Sequence, residues 1–284
     1  MFYTNFKSIA LVIIGLFVFS ASHSQNIEDS STNEFTAGLN YQSKLHYFGR
    51  VDSLKSSGLF PTIGLKSKTG VYLNSSFIFI QNSATSLNYT GTILEAGYRF
   101  PFHKNFSGNI YYNYFLYQDK SVLEQAALKG QAGINTTYNN KVVNVNVGGD
   151  VKFSQGQTDF GITAGLDKLF LFSDIIKNAV LAFNPAVNVY SGTHNYFQNV
   201  KKSNGQGLGI LLNSNNSSLQ QAKQFELLSY ELSAPLVFVK GKFNVYISPA
   251  YVAPQNLVSV SGRPDLSERG TNLFYFTAGF GVRL

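Results

Sequence analysis

The sequence predicts an all-β fold, a transmembrane antiparallel β-barrel of about twelve strands, with ten or fourteen as the alternatives. Three observations predict it. First, the chain ends on N-L-F-Y-F-T-A-G-F-G-V-R-L, in which Phe274, Phe276, Ala278, Phe280, Val282 and Leu284 fall on one face and Leu273, Tyr275, Thr277, Gly279, Gly281 and Arg283 on the other. A strand alternates its side chains, so this is a strand with one apolar face. A long apolar edge strand invites aggregation in water, whereas a closed barrel in lipid has no edge and needs that face. Second, the chain holds 25 Gly, 25 Phe and 17 Tyr, yet only 13% charged residues, against about 25% in a soluble domain. Third, no apolar segment of helix length follows the N-terminal one, which leaves strands to cross the membrane.

Lys7 is the only charge before Glu28, and Ile9 to Phe19 is unbroken apolar sequence followed by S-A-S-H-S-Q. A basic residue, a short apolar core and small residues at a cleavage position make residues 1–24 a secretory signal peptide, cut after Ser24. At about 11 residues the core is too short to cross ~30 Å of hydrocarbon. The absence of Cys excludes a thioether lipid anchor and any disulfide. Residues 25–33 form a short periplasmic segment, and 34–284 the barrel. The net charge of +7 falls to +6 without Lys7 and comes from scattered residues, with only Lys201-Lys202 adjacent; no nucleic-acid surface follows from it.

Strand one runs from about Phe35 to Phe48, with Leu39, Tyr41, Leu45 and Tyr47 outward and Lys44 and His46 inward, and a polar loop follows over 49–57. Strand two covers about Leu59–Lys66, where Pro61 belongs near the start or at a bulge because it donates nothing to a ladder. Strand three covers Val71–Gln81, strand four about Leu87–Phe100 with Glu95 and Arg99 inward, and strand five Phe106–Tyr117. Strand six, about Leu123–Tyr138, turns Lys129 inward and ends at a tight Asn139-Asn140 hairpin turn, since Asn tolerates positive φ. Strand seven, Lys141–Phe153, alternates Val143, Val145, Val147, Val151 and Phe153 with Asn144, Asn146, Gly148, Asp150 and Lys152.

Strand eight, Thr158 to about Phe170, carries Asp159 and Asp167 inward, and the connection 171–179 has room for one helical turn. Strand nine is about Val180–Ser191, strand ten about Phe225–Val239 with Glu231 inward, and strand eleven about Phe243–Val252. The long Asn-, Ser-, Gln- and Gly-rich stretch 192–223 is a loop. Connections near Ser67, Pro101, Asn139, Phe172 and Lys240 are short, while every long polar stretch falls at the other end, as a single-chain barrel requires. Aromatics flank the short turns: Phe100, Phe102, Phe106, Tyr138, Phe238 and Phe243. They make an interfacial girdle.

The terminal strand, with its alternating aromatics and final hydrophobic residue, resembles the last strand of bacterial outer-membrane barrels. P-T-I-G-L-K-S-K-T-G-V-Y-L-N-S-S at 61–76 and L-S-Y-E-L-S-A-P-L-V-F-V-K-G-K-F at 228–243 are similar to hairpins of small outer-membrane barrels of the Bacteroidetes type. The resemblance is architectural and covers most of the mature chain. It implies the outer membrane of a Gram-negative bacterium, outer-membrane lipids as surroundings, and assembly by the barrel insertion machinery, for which Phe274, Phe276, Phe280, Val282 and Leu284 are the signal. It implies no substrate.

Barrel enzymes act on lipids or peptides with a histidine beside a serine or carboxylates near the outer rim. His46 faces the lumen, with Ser43 on the opposite face; His103 lies in a short turn and His194 in the long loop, and neither H-x-H nor H-x₃-H spacing occurs. No catalytic residue, metal site or cofactor is assigned. G-Q-G-L-G at 205–209 follows no strand and opens no helix, so it is a loop rather than a phosphate cradle. The lumen set is Lys44, His46, Glu95, Arg99, Lys129, Asp150, Lys152, Asp159, Asp167, Glu231 and Arg283. Its mixed signs favour internal pairing, and hence a closed or nearly closed lumen ahead of an open channel. The functional expectation is an integral outer-membrane barrel, either a narrow solute pore or a structural barrel whose loop 192–223 meets an extracellular partner; the alternative is an outer-membrane lipid-modifying enzyme.

Overall fold

The computed structural model describes residues 32–51, 54–103, 105–118, 128–154, 157–173, 175–193, 224–257 and 270–284. Its strands are β1 (Glu34–Gln42), β2 (His46–Tyr47), β3 (Arg50–Val51), β4 (Ser57–Lys66), β5 (Val71–Gln81), β6 (Asn88–His103), β7 (Phe106–Tyr117), β8 (Leu128–Tyr138), β9 (Asn144–Ser154), β10 (Gln157–Asp167), β11 (Phe170–Ser173), β12 (Ala179–Phe183), β13 (Ala186–Gly192), β14 (Glu226–Ser233), β15 (Leu236–Lys240), β16 (Phe243–Pro254) and β17 (Leu273–Arg283). All but β2 and β3 belong to one antiparallel sheet, and β17 pairs with both β16 and β1, so the sheet closes on itself.

Three staves of this barrel are each split in two: β10 with β11, β12 with β13, and β14 with β15. The fifteen segments of the sheet therefore make twelve staves. The splits share one cause. Pro185, Pro235 and Pro249 sit on neighbouring staves and have no N–H to donate. Their carbonyls still accept, from Lys168 N at 3.1 Å, Asn184 N at 3.0 Å and Ala234 N at 3.0 Å, so the barrel stays stitched where its ladder breaks.

The short connections 67–70, 104–105, 139–143, 174–178 and 241–242 join strands at one end, where β1 begins and β17 finishes, and the connections 43–56, 82–87, 118–127, 155–156, 193–225 and 255–272 join them at the other. Gly241, with φ +57°, makes one of the short turns. Elsewhere the strands depart from the sequence reading in several places. Pro61 sits inside β4, where the pairing with β5 skips Phe60 and Pro61. Residues 141–143 belong to the turn, held by Asn140 N–H to Asn144 Oδ1 (3.1 Å) and Val142 N–H to Asn140 Oδ1 (3.0 Å), so β9 starts at Asn144 rather than Lys141. The connection expected to hold a helical turn begins instead as strand β11.

The exterior is apolar along every stave: Leu39, Ile63, Leu73, Ile110, Val147, Ile162, Val187, Leu232, Val245 and Phe274 are all exposed. A continuous apolar surface of this extent belongs in hydrocarbon, and closure leaves no backbone edge unpaired there, so the protein is a membrane-spanning barrel. Near the short-turn end, ring pairs Phe106–Tyr138 (4.7 Å), Tyr98–Phe100 (5.9 Å) and Phe243–Phe280 (5.9 Å) form an aromatic girdle.

Candidate functional site: the occluded lumen

The largest departure from the sequence reading is at strand one. β1 stops at Gln42. Gln42 Nε2 donates to Lys44 O at 2.9 Å, and the chain turns inward instead of running on to Phe48. Leu45 and Tyr47, expected on the lipid face, are each only 2% exposed. A tight turn with φ +49° at Phe48 and +79° at Gly49 then sends the chain back, and β2 and β3 form a small ladder of their own. Residues 43–51 and 54–56 thus belong to a strap folded into the barrel, where the sequence reading had the end of strand one and a polar loop.

The contacts of the strap come from all round the wall. Leu45 joins a buried apolar cluster with Phe60, Ile78, Ile80, Ile93, Phe115 and Leu128, the inward residues of β4 to β8. The Phe48 ring lies 5.0 Å from Tyr190 on β13, with Lys152 of β9 at 6.0 Å from its face. His46 meets Tyr275 of β17 edge-on at 4.4 Å. Val51 packs on Ala250, Val252, Leu273 and Tyr275. Arg50 is fully buried; its Nη1 donates to Leu228 O (3.1 Å) and Phe48 O (3.3 Å), and Nη2 to Gln255 O (3.0 Å). Bonds from a guanidinium are stronger than neutral ones, so Arg50 pins the strap to β14 and to the chain just past β16. Only a segment crossing the lumen reaches all of these positions.

Burial divides the lumen accordingly. Towards the long-loop end the inward residues are buried: Ile78, Ile93, Asn113, Phe115, Ser229, Ser248, Val252 and Thr277 among them. Towards the short-turn end, Tyr72, Asn144 and Asp167 are buried by their wall neighbours, but Glu34, Asn40, Asn74, Glu95, Asn109, Tyr111, Asn135, Asn188, Asn244 and Tyr246 are only partly buried, and Arg99 and Arg283 are exposed. Solvent enters this half, a vestibule closed above by the strap. Three inward tyrosines there lie flat on the wall: Tyr72 faces Gly97, Tyr111 faces Gly133 and Tyr246 faces Gly279, each as a direct cross-strand pair. A Cβ on any of these glycines would collide with the opposing ring. The glycines make room for the rings at the wall and keep them off the barrel axis.

The predicted charges fall into distinct settings. Glu95 accepts from Asn74 Nδ2 at 3.0 Å, and Arg99 stands over the Tyr72 ring at 5.1 Å. Asp150 pairs with Lys152 and accepts from Gln131 Nε2 at 2.9 Å. Asp167 accepts from Asn144 and Asn146, and Asp159 from the Thr193 hydroxyl at 2.7 Å. Glu231 accepts from Tyr275 Oη at 3.0 Å and Tyr190 Oη at 3.5 Å. Arg283 pairs with Glu34 at 3.6 Å, beside Lys66 at 3.8 Å from the same carboxylate. Lys44 is exposed at the long-loop rim, with Nζ on Phe274 O at 2.9 Å. Lys129 is exposed rather than in the lumen: the register of β8 shifts between Leu128 and Gly130, so the bulged Lys129 leaves the inward face that Leu128 takes.

His46 belongs to the strap, not to the wall. Gly49 N–H donates to its Nδ1 at 3.3 Å, which assigns the ring proton to Nε2. Burial lowers its pKa to about 4, so the ring is neutral at physiological pH. Phe274, Phe276, Phe280 and Leu284 are exposed on the outside of β17, with Val282 half-buried beside them. His194 and nearly all of loop 192–223 lie outside the described residues, as do 1–31. The sequence reading missed Leu45, Tyr47, Phe48 and Arg50 as lumen residues. Beside the charged lumen set that the sequence reading named, the outer half holds an apolar cluster. The available signal was F-I-F-I at 77–80, apolar on both faces, which marks a strand packed on both sides.

No family model matches the chain, and no curated protein matches it. Among solved structures, the KdgM porin shares 10% identity over 87% of this chain and 98% of its own, with a TM-score of 0.47. The NanC porin shares 10% over 88% and 100%, with a TM-score of 0.45. LpxR from Salmonella typhimurium shares 11% over 87% and 99%, with a TM-score of 0.43.

Proposed function

We propose that this outer-membrane barrel is a gated pore for small polar solutes, held closed at rest by the strap 43–56. The observation that carries the reading is the strap's reach: it lies on the apolar seat of β4 to β8, touches β13 and β17, and is tied by Arg50 to Leu228 O and Gln255 O. A barrel of about twelve staves is wider than one its own side chains fill. Here a segment without transmembrane pairing fills the outer half, and the inner half is wet. The strap meets the ladder at its base, where Ser43 N–H donates to Phe276 O at 3.0 Å, and by an isolated bridge from Arg50 to Gly270; the rest can leave without breaking the barrel.

The lipid-modifying reading gains nothing from this arrangement. His46 Nε2 and Ser248 Oγ are buried without hydrogen-bond partners, enclosed by wall and strap where no acyl chain arrives. The test is planar-bilayer recording of the native barrel and of one in which a short Gly-Ser linker replaces residues 44–55. The native protein is expected to stay closed for most of the record, and the linker variant to give steady single-channel steps. Equal conductance, or none from a variant that still migrates as a folded barrel on unboiled gels, overturns the pore and leaves a structural or surface-binding barrel.

A further inference from the structure

Among the described residues the vestibule is a solvent-accessible part of the lumen, and its lining has a definite chemistry. Its formal charges sum to zero, with Lys66, Arg99, Lys152 and Arg283 against Glu34, Glu95, Asp150 and Asp167. Lys66 and Arg283 stand on Glu34, Lys152 on Asp150, and the Asp167 carboxylate is occupied by two asparagine amides. Besides these groups and the exposed Arg99 and Arg283, the lining is uncharged: the half-buried phenol rings of Tyr111 and Tyr246, and amides beside them. Tyr111 is fixed against Gly133; Tyr72, buried beneath Arg99, takes the Asn109 Nδ2 donor on its Oη at 3.3 Å, and Asn74 and Asn135 flank the rings half-exposed. Across the barrel Tyr246 is held by its hydroxyl on Asn40 Oδ1 at 2.9 Å.

We infer that the vestibule binds an uncharged, hydroxyl-rich solute of the carbohydrate class, entering from the short-turn side. A sugar ring presents C–H faces and equatorial hydroxyls. The first suit rings fixed face-on to the lumen, and the second suit amides, which both donate and accept. An anionic or cationic solute gains no matching excess charge in this lining and must compete with pairs already made. A purely apolar solute would strand the amides without partners. The inference deepens the pore reading by naming a solute class. It concerns binding alone, and holds whether or not the strap opens.

Saturation-transfer NMR on the intact barrel in detergent micelles, with maltohexaose as probe and a sulfated oligosaccharide of the same length as comparison, tests it without any ion flow. Maltohexaose is expected to show saturable transfer and the sulfated probe little. Asn135→Ala and Tyr111→Leu, which removes the ring, should each weaken maltohexaose binding at least threefold while unboiled gel migration stays that of the folded barrel. Gly133→Ala, which drives Tyr111 off the wall, should weaken it tenfold. If Gly133→Ala disturbs assembly, the Tyr111→Leu result decides. No transfer to maltohexaose, stronger transfer to the sulfated probe, or unchanged binding in the folded Tyr111→Leu and Asn135→Ala proteins overturns the inference. A silent bilayer alongside saturable binding would refute the gate and spare the site.

Discussion

Leu45→Asp is expected to raise the open probability of the pore about a hundredfold without dismantling the barrel. Leu45 is 2% exposed and sits among Phe60, Ile78, Ile80, Ile93, Phe115 and Leu128. Truncating a leucine in such a setting costs roughly 2–5 kcal/mol, and a carboxylate there loses its hydration among mostly hydrocarbon side chains. A loss of about 3 kcal/mol from the closed state changes the open-to-closed ratio ~100-fold. The barrel wall does not share that loss, because Leu45 belongs to no transmembrane stave and its N–H bonds within the strap, to Ser56 O at 2.7 Å. Leu45→Met, which keeps the apolar volume, should stay closed. Single-channel recording separates the two variants, and equal open probabilities would mean that the cluster does not hold the strap.

Removal of residues 280–284 is expected to abolish the protein from the membrane fraction, a loss of tenfold or more. The cut deletes the pairs Leu39↔Phe280, Gly38↔Gly281, Ala37↔Val282 and Thr36↔Arg283, and with them Leu284 N–H to Phe35 O at 2.8 Å. On the other side of β17 it removes the partners of Phe243 to Val245. Each backbone group left unpaired in hydrocarbon costs several kcal/mol, so a barrel that cannot close at this seam has no stable place in lipid. Immunoblots of fractionated membranes measure the effect. Phe280→Ala, which keeps the backbone, should lower the level far less. Normal levels of the truncated chain would show that closure between β1 and β17 is dispensable.

The outer wall was legible because one rule governs it. Lipid on one face and lumen on the other impose strict alternation, and Val143–Phe153 or Phe274–Leu284 display it without interruption. The number of staves followed from counting the alternating segments, and the connection lengths, which do not depend on register, supported an even count. The strap was not legible for the opposite reason. Leu45 and Tyr47 continue the alternation of β1 in sequence, and only the turn at Gln42, an event of tertiary packing, takes them to the inside. Lys129 was lost to a bulge, which shifts register by one residue and leaves no mark on a pattern of apolar and polar letters. Ile78 and Ile80 carried the clue, since their staves are apolar on both faces only where something apolar lies within the barrel. The flat tyrosines of the vestibule needed register as well: Tyr111 and Gly133 are 22 positions apart, and only the pairing of β7 with β8 sets them opposite each other.

The most direct measurement of the central claim, that the strap seals the lumen, is sided labelling of a single cysteine. The chain has no Cys, so background reaction is nil. Asn135→Cys places one thiol in the vestibule, on a half-exposed inward position of β8. With a membrane-impermeant maleimide applied from the long-loop side, the sealed lumen predicts no labelling of the native strap and rapid labelling once residues 44–55 are replaced by a linker. From the short-turn side it predicts rapid labelling of both. Rapid labelling of the native-strap protein from the long-loop side would contradict the seal.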